Sequence, residues 1–529
     1  MSRAAVRPRW WEGAVIYHCY PRSFADSDGD GIGDLEGIIR HLDHLAGSDH
    51  SLGVDAVWLS PVYPHGGVDG GYDIVDHAAI APEFGSVSDL DRLVAAAHER
   101  RLRVLMDLVV GHVSDQHAWF REARASRTAG RRDWFIWADP RPGGEPPNNW
   151  VAIFGGPAWT FDFETGQYYH HTYYPEQPDL NWRNPEVQAA VADVLRFWLD
   201  RGVDGFRIDA AQNLIKDARF RDNPPAHRRI HPFPPEPGGL SRRWNSHLPG
   251  ARRVLRGVRR IVDAYPDAFL LGEIYAPPSR LASYLRGGGG QGLHAALDME
   301  LGLSDWDAVA FRRAIRRAER HLFHPWFPTW NLSNHDIPRH ASRWGPERSR
   351  IAALILLTLR GAICLYQGEE IGMTDHPAVP LPMADRWGRD PERTPMQWSR
   401  GKQGGFTTGT PWLPVHDPRT TNVAGQRKDP DSLLSLYRRL IRLRRRSAAL
   451  RLGSLDVIEP LPADVLGFSR SSGREQVLVL ANMGAAPSPP IGVSGRAKVL
   501  AGTTGERSRT LDLERLRLEP LEGLVLQNR

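Results

Sequence analysis

Gly205-Phe206-Arg207-Ile208-Asp209 places two charged residues in a run that otherwise reads as a buried strand. In an extended chain alternate residues share a face, so Gly205, Arg207 and Asp209 point one way and Phe206 and Ile208 the other. A guanidinium and a carboxylate at the end of a buried strand are costly unless they are paired or used. Similar apolar runs recur at Val15–Tyr20, Val54–Ser60, Val104–Val110, Gly205–Ala210, Phe269–Ile274, Ala296–Glu300, Phe327–Ser333 and Ala362–Gln367. The third contains Asp107, the fifth carries Glu273 near its end, and Asp336 closely follows the seventh. Amphipathic helical stretches such as Val87–Arg100 and Pro185–Arg201 lie between them. Alternation of strand and helix predicts a parallel sheet, and eight such units predict a closed (β/α)8 TIM barrel. Carboxylates that converge on the C-terminal ends of barrel strands mark an active face.

The spacing between runs is uneven. A long aromatic, Pro- and Gly-rich insert, with Pro140–Pro147 and Gly155-Gly156-Pro157, separates the third run from the fourth. It predicts a small subdomain in the third strand-to-helix loop. Asp222–Pro249 reads as a long active-site loop after the fourth strand, and Gly287–Gly290 as a short flexible one. Beyond an Arg-rich helix ending near Leu450, the short runs Val457-Ile458, Val465–Phe468, Gln476–Ala481 and Lys498–Leu500 predict an all-β module. The expected division is barrel over 1–110, inserted subdomain over 111–181, barrel again over 182–450, and a C-terminal β-sandwich over 451–529.

The balance of 67 basic and 62 acidic residues, with basic runs set among apolar and acidic neighbours, argues against a nucleic-acid-binding surface. No apolar stretch follows Arg3, Arg7 and Arg9, so no secretion signal is expected. The longest apolar run, Ile351 to Leu359, is too short to cross a bilayer. The two cysteines, Cys19 and Cys364, lie in separate apolar segments without metal-ligand spacing and read as reduced, buried thiols. A cytoplasmic protein without membrane association follows as the expectation. Asp26, Asp28, Asp30 and Asp34 occupy alternate positions, with Gly31 at the sharp turn and Ile32 able to offer a backbone carbonyl. That pattern mimics the first nine positions of an EF-hand loop, but the twelfth position is Gly37 rather than Glu.

Four segments occur in a fixed order: Asp107–His112 with His117 after it, Gly205–Asp209, Gly272-Glu273-Ile274, and Asn334-His335-Asp336. Together they resemble glycoside hydrolase family 13, the α-amylase family, in its α-glucosidase and oligo-1,6-glucosidase-like subgroup. The resemblance implies that Asp209 is the nucleophile, Glu273 the general acid/base and Asp336 the third catalytic carboxylate, which stabilises the transition state. It implies that Arg207 keeps the nucleophile ionised, that His112 and His335 bind the hydroxyls of the reacting glucose, and that Asp107 braces Arg207. In Asp69-Gly70-Gly71-Tyr72-Asp73, Asp69 is expected to bind the non-reducing end and Tyr72 to stack on the sugar. Arg393, in Arg393-Thr394-Pro395-Met396-Gln397-Trp398, is expected to contact sugar hydroxyls, and Phe154 to line the glucose pocket. Gln177-Pro178-Asp179-Leu180-Asn181 is similar to the version found in the subgroup.

Gly111 departs from the family, which usually has Asn there beside the α-amylase calcium; that calcium site is not expected. The acidic loop 26–34 is similar to one that binds Ca²⁺ or Mg²⁺ in related glucosidases, so a structural Ca²⁺ or Mg²⁺ is expected there, held by Asp26, Asp28, Asp30, Ile32 and Asp34. No organic cofactor is implied. Retaining hydrolysis requires two carboxyls about 5 Å apart across the anomeric carbon. The resemblance therefore implies exo-hydrolysis of terminal α-linked glucose, with Ala210 after the nucleophile favouring α-1,4 linkages. The alternatives are a transglucosidase or isomerase of trehalose or isomaltulose synthase type, and a non-catalytic relative that partners a transporter. The last lacks support because the full catalytic set is present and no membrane anchor is.

Overall fold

A computed structural model describes residues 8–226, 237–287, 291–379, 384–504 and 510–528. Residues 227–236 of the long loop, 288–290 of the glycine run, and Arg3 and Arg7 lie outside them. Eight parallel strands close into a barrel in chain order: Val15–Cys19, Ala56–Leu59, Arg103–Leu108, Gly205–Ile208, Phe269–Gly272, Ala295–Asp298, Thr329–Asn331 and Ala362–Tyr366. The eighth pairs with the first, Val15 opposite Ile363, which removes both sheet edges. Each strand stops earlier than its apolar run. The C-terminal residues of the runs leave the ladder to carry charged or polar side chains, as Asp209 and Glu273 do just past Ile208 and Gly272.

The barrel interior is graded from bottom to top. Trp11 stacks on Phe269 with centroids 5.3 Å apart and plugs the N-terminal end. Leu105, Leu271, Leu297 and Cys364 fill the layers above. Cys19 packs instead in the outer core between strands and helices, and both thiols are free and buried. Gly205 is required at its position: its φ is +146°, and a Cβ there would lie 2.0 Å from the Phe269 carbonyl oxygen. A side chain would force apart the fourth and fifth strands, which carry Asp209 and Glu273 just beyond their ends.

The outer helices begin where capping chemistry allows. Ser86 and Asp89 form a reciprocal capping box on Val87–Glu99, and Asn184 caps Pro185–Leu199 with Pro at its first turn. The insert forms a three-stranded antiparallel sheet, Trp137–Ala138, Gln167–His170 and Trp159–Asp162, around Trp150 and Trp159.

The C-terminal strands are longer than the apolar runs suggest, and two more, Thr510–Asp512 and Gly523–Asn528, join them. Among the described residues they form one six-stranded antiparallel sheet in place of the two packed sheets expected. Its alternation explains why one sheet suffices. Phe468, Val477, Val479 and Val525 face the barrel helices, while Leu478, Leu480, Leu524 and Leu526 are covered by loop residues Ile491, Leu513, Leu516 and Leu518. Among the described residues no helix is long and apolar enough to cross a membrane.

Candidate active site

The inward positions of the fifth strand run Phe269, Leu271, then Glu273; those of the fourth run Gly205, Arg207, then Asp209. The barrel register thus lifts apolar side chains to the bottom and charge to the top. Arg207 is fully buried and is the hub of the site. Its Nη1 donates to both Asp107 oxygens, at 2.8 and 3.0 Å, and to Asp209 Oδ1 at 2.8 Å. Its Nη2 lies 2.6 Å from Glu273 Oε1, at an angle too oblique for a hydrogen bond.

One cation therefore faces three carboxyls. Burial, set against the Arg207 charge, pushes Asp209 and Glu273 each up to about 7 and Asp107 up to about 6. Three anions around one cation out of water would leave uncompensated charge, so the assembly keeps a proton near neutral pH. Geometry favours Glu273 as its seat. Asp107 accepts from Arg207, from Tyr72 Oη at 2.9 Å and from Trp58 Nε1 at 3.2 Å, and Asp209 takes an in-line bond from Arg207. Among the described residues, Glu273 receives the Ala210 backbone N–H at 2.9 Å and a long 3.3 Å contact from the Tyr275 hydroxyl.

Asp336 follows the seventh strand in a turn held by its own N–H to Asn334 Oδ1 at 2.9 Å. Burial opposes its charge, but Arg389, Arg393 and Arg207 outweigh that and lower its pKa. Arg389 donates to Asp336 Oδ1 at 2.8 Å, to Asp69 Oδ1, and to both oxygens of Asp385. Arg393 reaches the His335 carbonyl at 2.8 Å and Asp336 at 3.2 Å. Gly70 makes room for it, since a Cβ there would lie 2.6 Å from Arg393 Nη1. His335 lies parallel to Tyr72, centroids 5.0 Å apart, and burial holds it neutral.

These groups surround a pocket lined among others by Tyr72, Phe154, Asp209, Glu273, His335 and Asp336. The remaining expected residues lie behind that lining, in contact with it. Asp69 is bonded to Arg389 and to Gln177 Nε2 at 2.8 Å, His112 Nε2 is 3.0 Å from the Tyr72 carbonyl, and Arg207 and Arg393 are buried behind the carboxylates they hold.

The sequence reading did not single out Arg389, Tyr173, Gln212, Tyr275 or Trp387, all of which line the pocket. Arg389 had a signal, four residues before Arg393 and four after Asp385, but the loop that aims it has no periodicity. Trp387, Tyr174 and Tyr173 gather around Phe154, with centroids 4.9, 4.5 and 5.3 Å from it, and close the mouth between the insert and the loop after the eighth strand.

At the departure marked by Gly111, the neighbouring Asp179 is bonded by Lys216 Nζ at 2.6 Å and Thr172 Oγ1 at 2.6 Å, so an ammonium already balances its charge. In the acidic loop, Asp26, Asp28 and Asp34 each bring an oxygen within 4.8 Å of the others. These hard oxygen donors fit Ca²⁺ or Mg²⁺. Asp30 falls outside this group, and its Oδ1 accepts the Ile32 N–H at 2.7 Å.

A closed eight-stranded barrel whose C-terminal face gathers paired carboxyls on a shared arginine defines a glycoside hydrolase. The chain belongs to the α-amylase family: its alpha amylase catalytic domain matches residues 18–453. It is 39% identical to a probable α-glucosidase of Rhizobium meliloti (strain 1021), over 97% of this chain and 93% of that one. It is 35% identical to an oligo-1,6-glucosidase of Parageobacillus thermoglucosidasius, over 98% and 99%. The crystal structure of an α-glucosyl transfer enzyme, XgtA, superposes with a TM-score of 0.91 at 39% identity, covering 99% of this chain and all of that one.

Proposed function

We propose that the protein is a retaining, exo-acting α-glucosidase that removes terminal glucose, preferentially α-1,4-linked, from maltose, short malto-oligosaccharides and related α-glucosides. The observation that carries this reading is the single guanidinium of Arg207 spanning Asp209 and Glu273. It gathers both carboxyls on one cation, 2.8 and 2.6 Å from its two terminal nitrogens, in keeping with the close carboxyl pair that a covalent mechanism uses. Asp209 attacks the anomeric carbon while Glu273 gives its proton to the departing glycosidic oxygen. The C–O bond breaks and a glucosyl ester forms. Glu273, now ionised, takes a proton from water, which attacks the same carbon and releases glucose and free Asp209. Asp336, held ionised by Arg389 and Arg393, stabilises positive charge on the ring. Asp69, Tyr72, His112, Phe154, His335 and Arg393 hold the terminal glucose, and the Asp69–Arg389–Asp336 wall limits the pocket to one sugar.

Proton NMR during the first turnovers of maltose tests the reading. Retention predicts that α-glucose appears first from the non-reducing unit. Early β-glucose beyond that supplied by the reducing unit of maltose, or release of larger fragments from internal cuts, would overturn it.

A second outcome of the same ester is transfer to another sugar. It is favoured by the aromatic mouth, where Tyr173, Tyr275 and Trp387 offer faces to an acceptor. New disaccharides from concentrated maltose or sucrose would assign the enzyme to that branch.

We also propose that the loop Asp26–Asp34 holds a structural Ca²⁺ or Mg²⁺ through Asp26, Asp28, Asp34 and the Ile32 carbonyl. When bound, the ion ties the loop to the helix Leu35–Leu45 that Asp34 caps. The two free thiols suit a reducing compartment, and we place the enzyme in the cytoplasm.

A further inference from the structure

Trp58, in the second barrel strand, touches two members of the charge assembly, Asp107 and Arg207, and does not line the pocket. It is 1% exposed and points into the barrel. Its Nε1 donates to Asp107 Oδ2 at 3.2 Å. The Arg207 guanidinium carbon lies 5.0 Å from the centre of its ring. On the indole, His18 stacks at 3.7 Å and 8°, with His18 Nε2 2.9 Å from Ser60 Oγ. The indole is therefore gripped by an imidazole, supports the arginine by its ring and directs its N–H at the arginine's main counter-ion.

We propose that Trp58 is a positioning residue for catalysis: its indole N–H keeps Asp107 ionised and clamped on Arg207, so that the shared proton rests on Glu273. The inference rests on the assignment of Asp209 as nucleophile and Glu273 as acid. Asp107 is the alternative seat for that proton, because it is as buried as the catalytic pair and touches the same cation. It is faced by Arg207 from the fourth strand, Tyr72 from the loop after the second, and Trp58 from the second itself. Asp209 and Glu273 sit across Arg207, and Tyr63 Oη donates to the Asp107 backbone carbonyl at 2.9 Å. His18 and His335, which face Trp58, are held neutral by burial, then by each other or by nearby arginines, and add no charge. A hydrogen bond donated to a carboxylate favours its charged form. Removing one raises the pH at which Asp107 takes a proton. That releases the two-oxygen clamp that fixes where Arg207 points, so activity is lost as Asp107 gains its proton.

Trp58→Phe keeps a ring between His18 and Arg207 and deletes the N–H. We expect kcat on maltose to fall about ten-fold, the loss typical of one hydrogen bond to a charged group, with KM within about two-fold. The acidic limb of kcat/KM should move up by about half a pH unit or more. A purely structural role would lower the melting temperature or the active fraction without moving the limb. An unmoved limb in a folded Trp58→Phe enzyme overturns the inference. If that variant does not fold, Tyr72→Phe, which deletes the other uncharged donor to Asp107 Oδ2, must move the limb in the same direction; an unmoved limb there overturns it equally. Asp209→Asn in the same assay separates the two levels, since retained activity would sink the nucleophile assignment itself rather than the part given to Trp58.

Discussion

Two clusters of acids in this chain are built on opposite principles. Around Arg207, the carboxyls of Asp107, Asp209 and Glu273 are buried and share one cation, and burial drives their pKa values up. In the loop Asp26–Asp34 the carboxylates run from exposed Asp28 and Asp30 through half-buried Asp26 to buried Asp34, and they accept backbone N–H groups. Asp26 alone accepts N–H groups from Asp28, Gly29 and Gly31, and these with Thr407 outweigh burial and lower its pKa. The first arrangement leaves a proton that can move within the range where enzymes work. The second leaves fixed negative charge suited to an ion. The residue type is the same in both; what differs is whether the neutralising groups are scarce and buried or plentiful and local.

The comparison is broken most directly at Asp209. Asp209→Asn deletes the nucleophile, and no group in the loop 26–34 can substitute. Turnover of maltose should fall by about 10⁴-fold or more. A correctly folded variant with near-normal activity would mean that the buried cluster is only a structural ion network.

Next in size is Glu273→Gln. Maltose, with a poor leaving group, should lose about 10²–10⁴-fold, the usual worth of general acid catalysis. An aryl α-glucoside with an acidic phenol should lose at least ten-fold less in kcat/KM. The pH profile carries the sign. The active enzyme has Asp209 ionised and Glu273 protonated, so activity falls below neutrality as Asp209 gains a proton and above it as Glu273 loses one. In Glu273→Gln the basic limb should vanish and the acidic limb remain. Equal losses on both substrates, or an intact basic limb, would move the acid role elsewhere.

The second cluster is sharpened by chelation. If an ion binds the folded loop, excess chelator should lower the melting temperature by a few degrees, because binding to the native state alone stabilises it by mass action. The apo enzyme, assayed well below that temperature, should keep most of its kcat, since none of the three converging carboxylates touches the pocket. Elemental analysis without Ca²⁺ or Mg²⁺, together with an unchanged melting temperature, would reduce the loop to an acidic turn.

The barrel and its carboxylates were legible in the sequence because both follow period-two patterns. An acid two residues after an arginine on an apolar strand must share its face, and eight such strands have few ways to pack. The family resemblance assigned roles that spacing alone could not. Arg389, Trp387 and Tyr275 escaped because they stand in loops or past strand ends, where orientation depends on contacts made by distant segments. Arg389 binds Asp69, 320 positions earlier in the chain. The insert's part in the mouth was equally hidden, since Phe154 meets Trp387 only once the barrel has closed. The single C-terminal sheet was missed for another reason. Its outer face is covered by Ile491, Leu513, Leu516 and Leu518, which lie outside any strand and give no alternation to read.

The smallest expected effect is at Ala210, on the seam between nucleophile and acid. In resembling glucosidases, Val after the nucleophile accompanies α-1,6 preference and smaller residues α-1,4 preference, yet the chain is about as similar to an oligo-1,6-glucosidase as to an α-glucosidase. The backbone here adds a constraint: Ala210 has φ +39° and ψ +43°, is buried, and donates its N–H to Glu273 Oε2 at 2.9 Å. A β-branched side chain in this left-handed conformation is strained, at a cost on the order of 1–3 kcal/mol. Ala210→Val should therefore lower stability and slow both substrates by disturbing the acid. The linkage effect rides on top of that loss as a ratio. A change of a methylene or two beside the leaving sugar is worth ~1–3 kcal/mol, so kcat/KM for maltose over isomaltose should fall by about ten-fold in the variant. Because strain acts on both substrates alike, the ratio isolates the steric part. A wild type that prefers isomaltose, or a ratio that rises in Ala210→Val, would show that linkage is read by the aromatic mouth around Trp387 and not by the residue after the nucleophile.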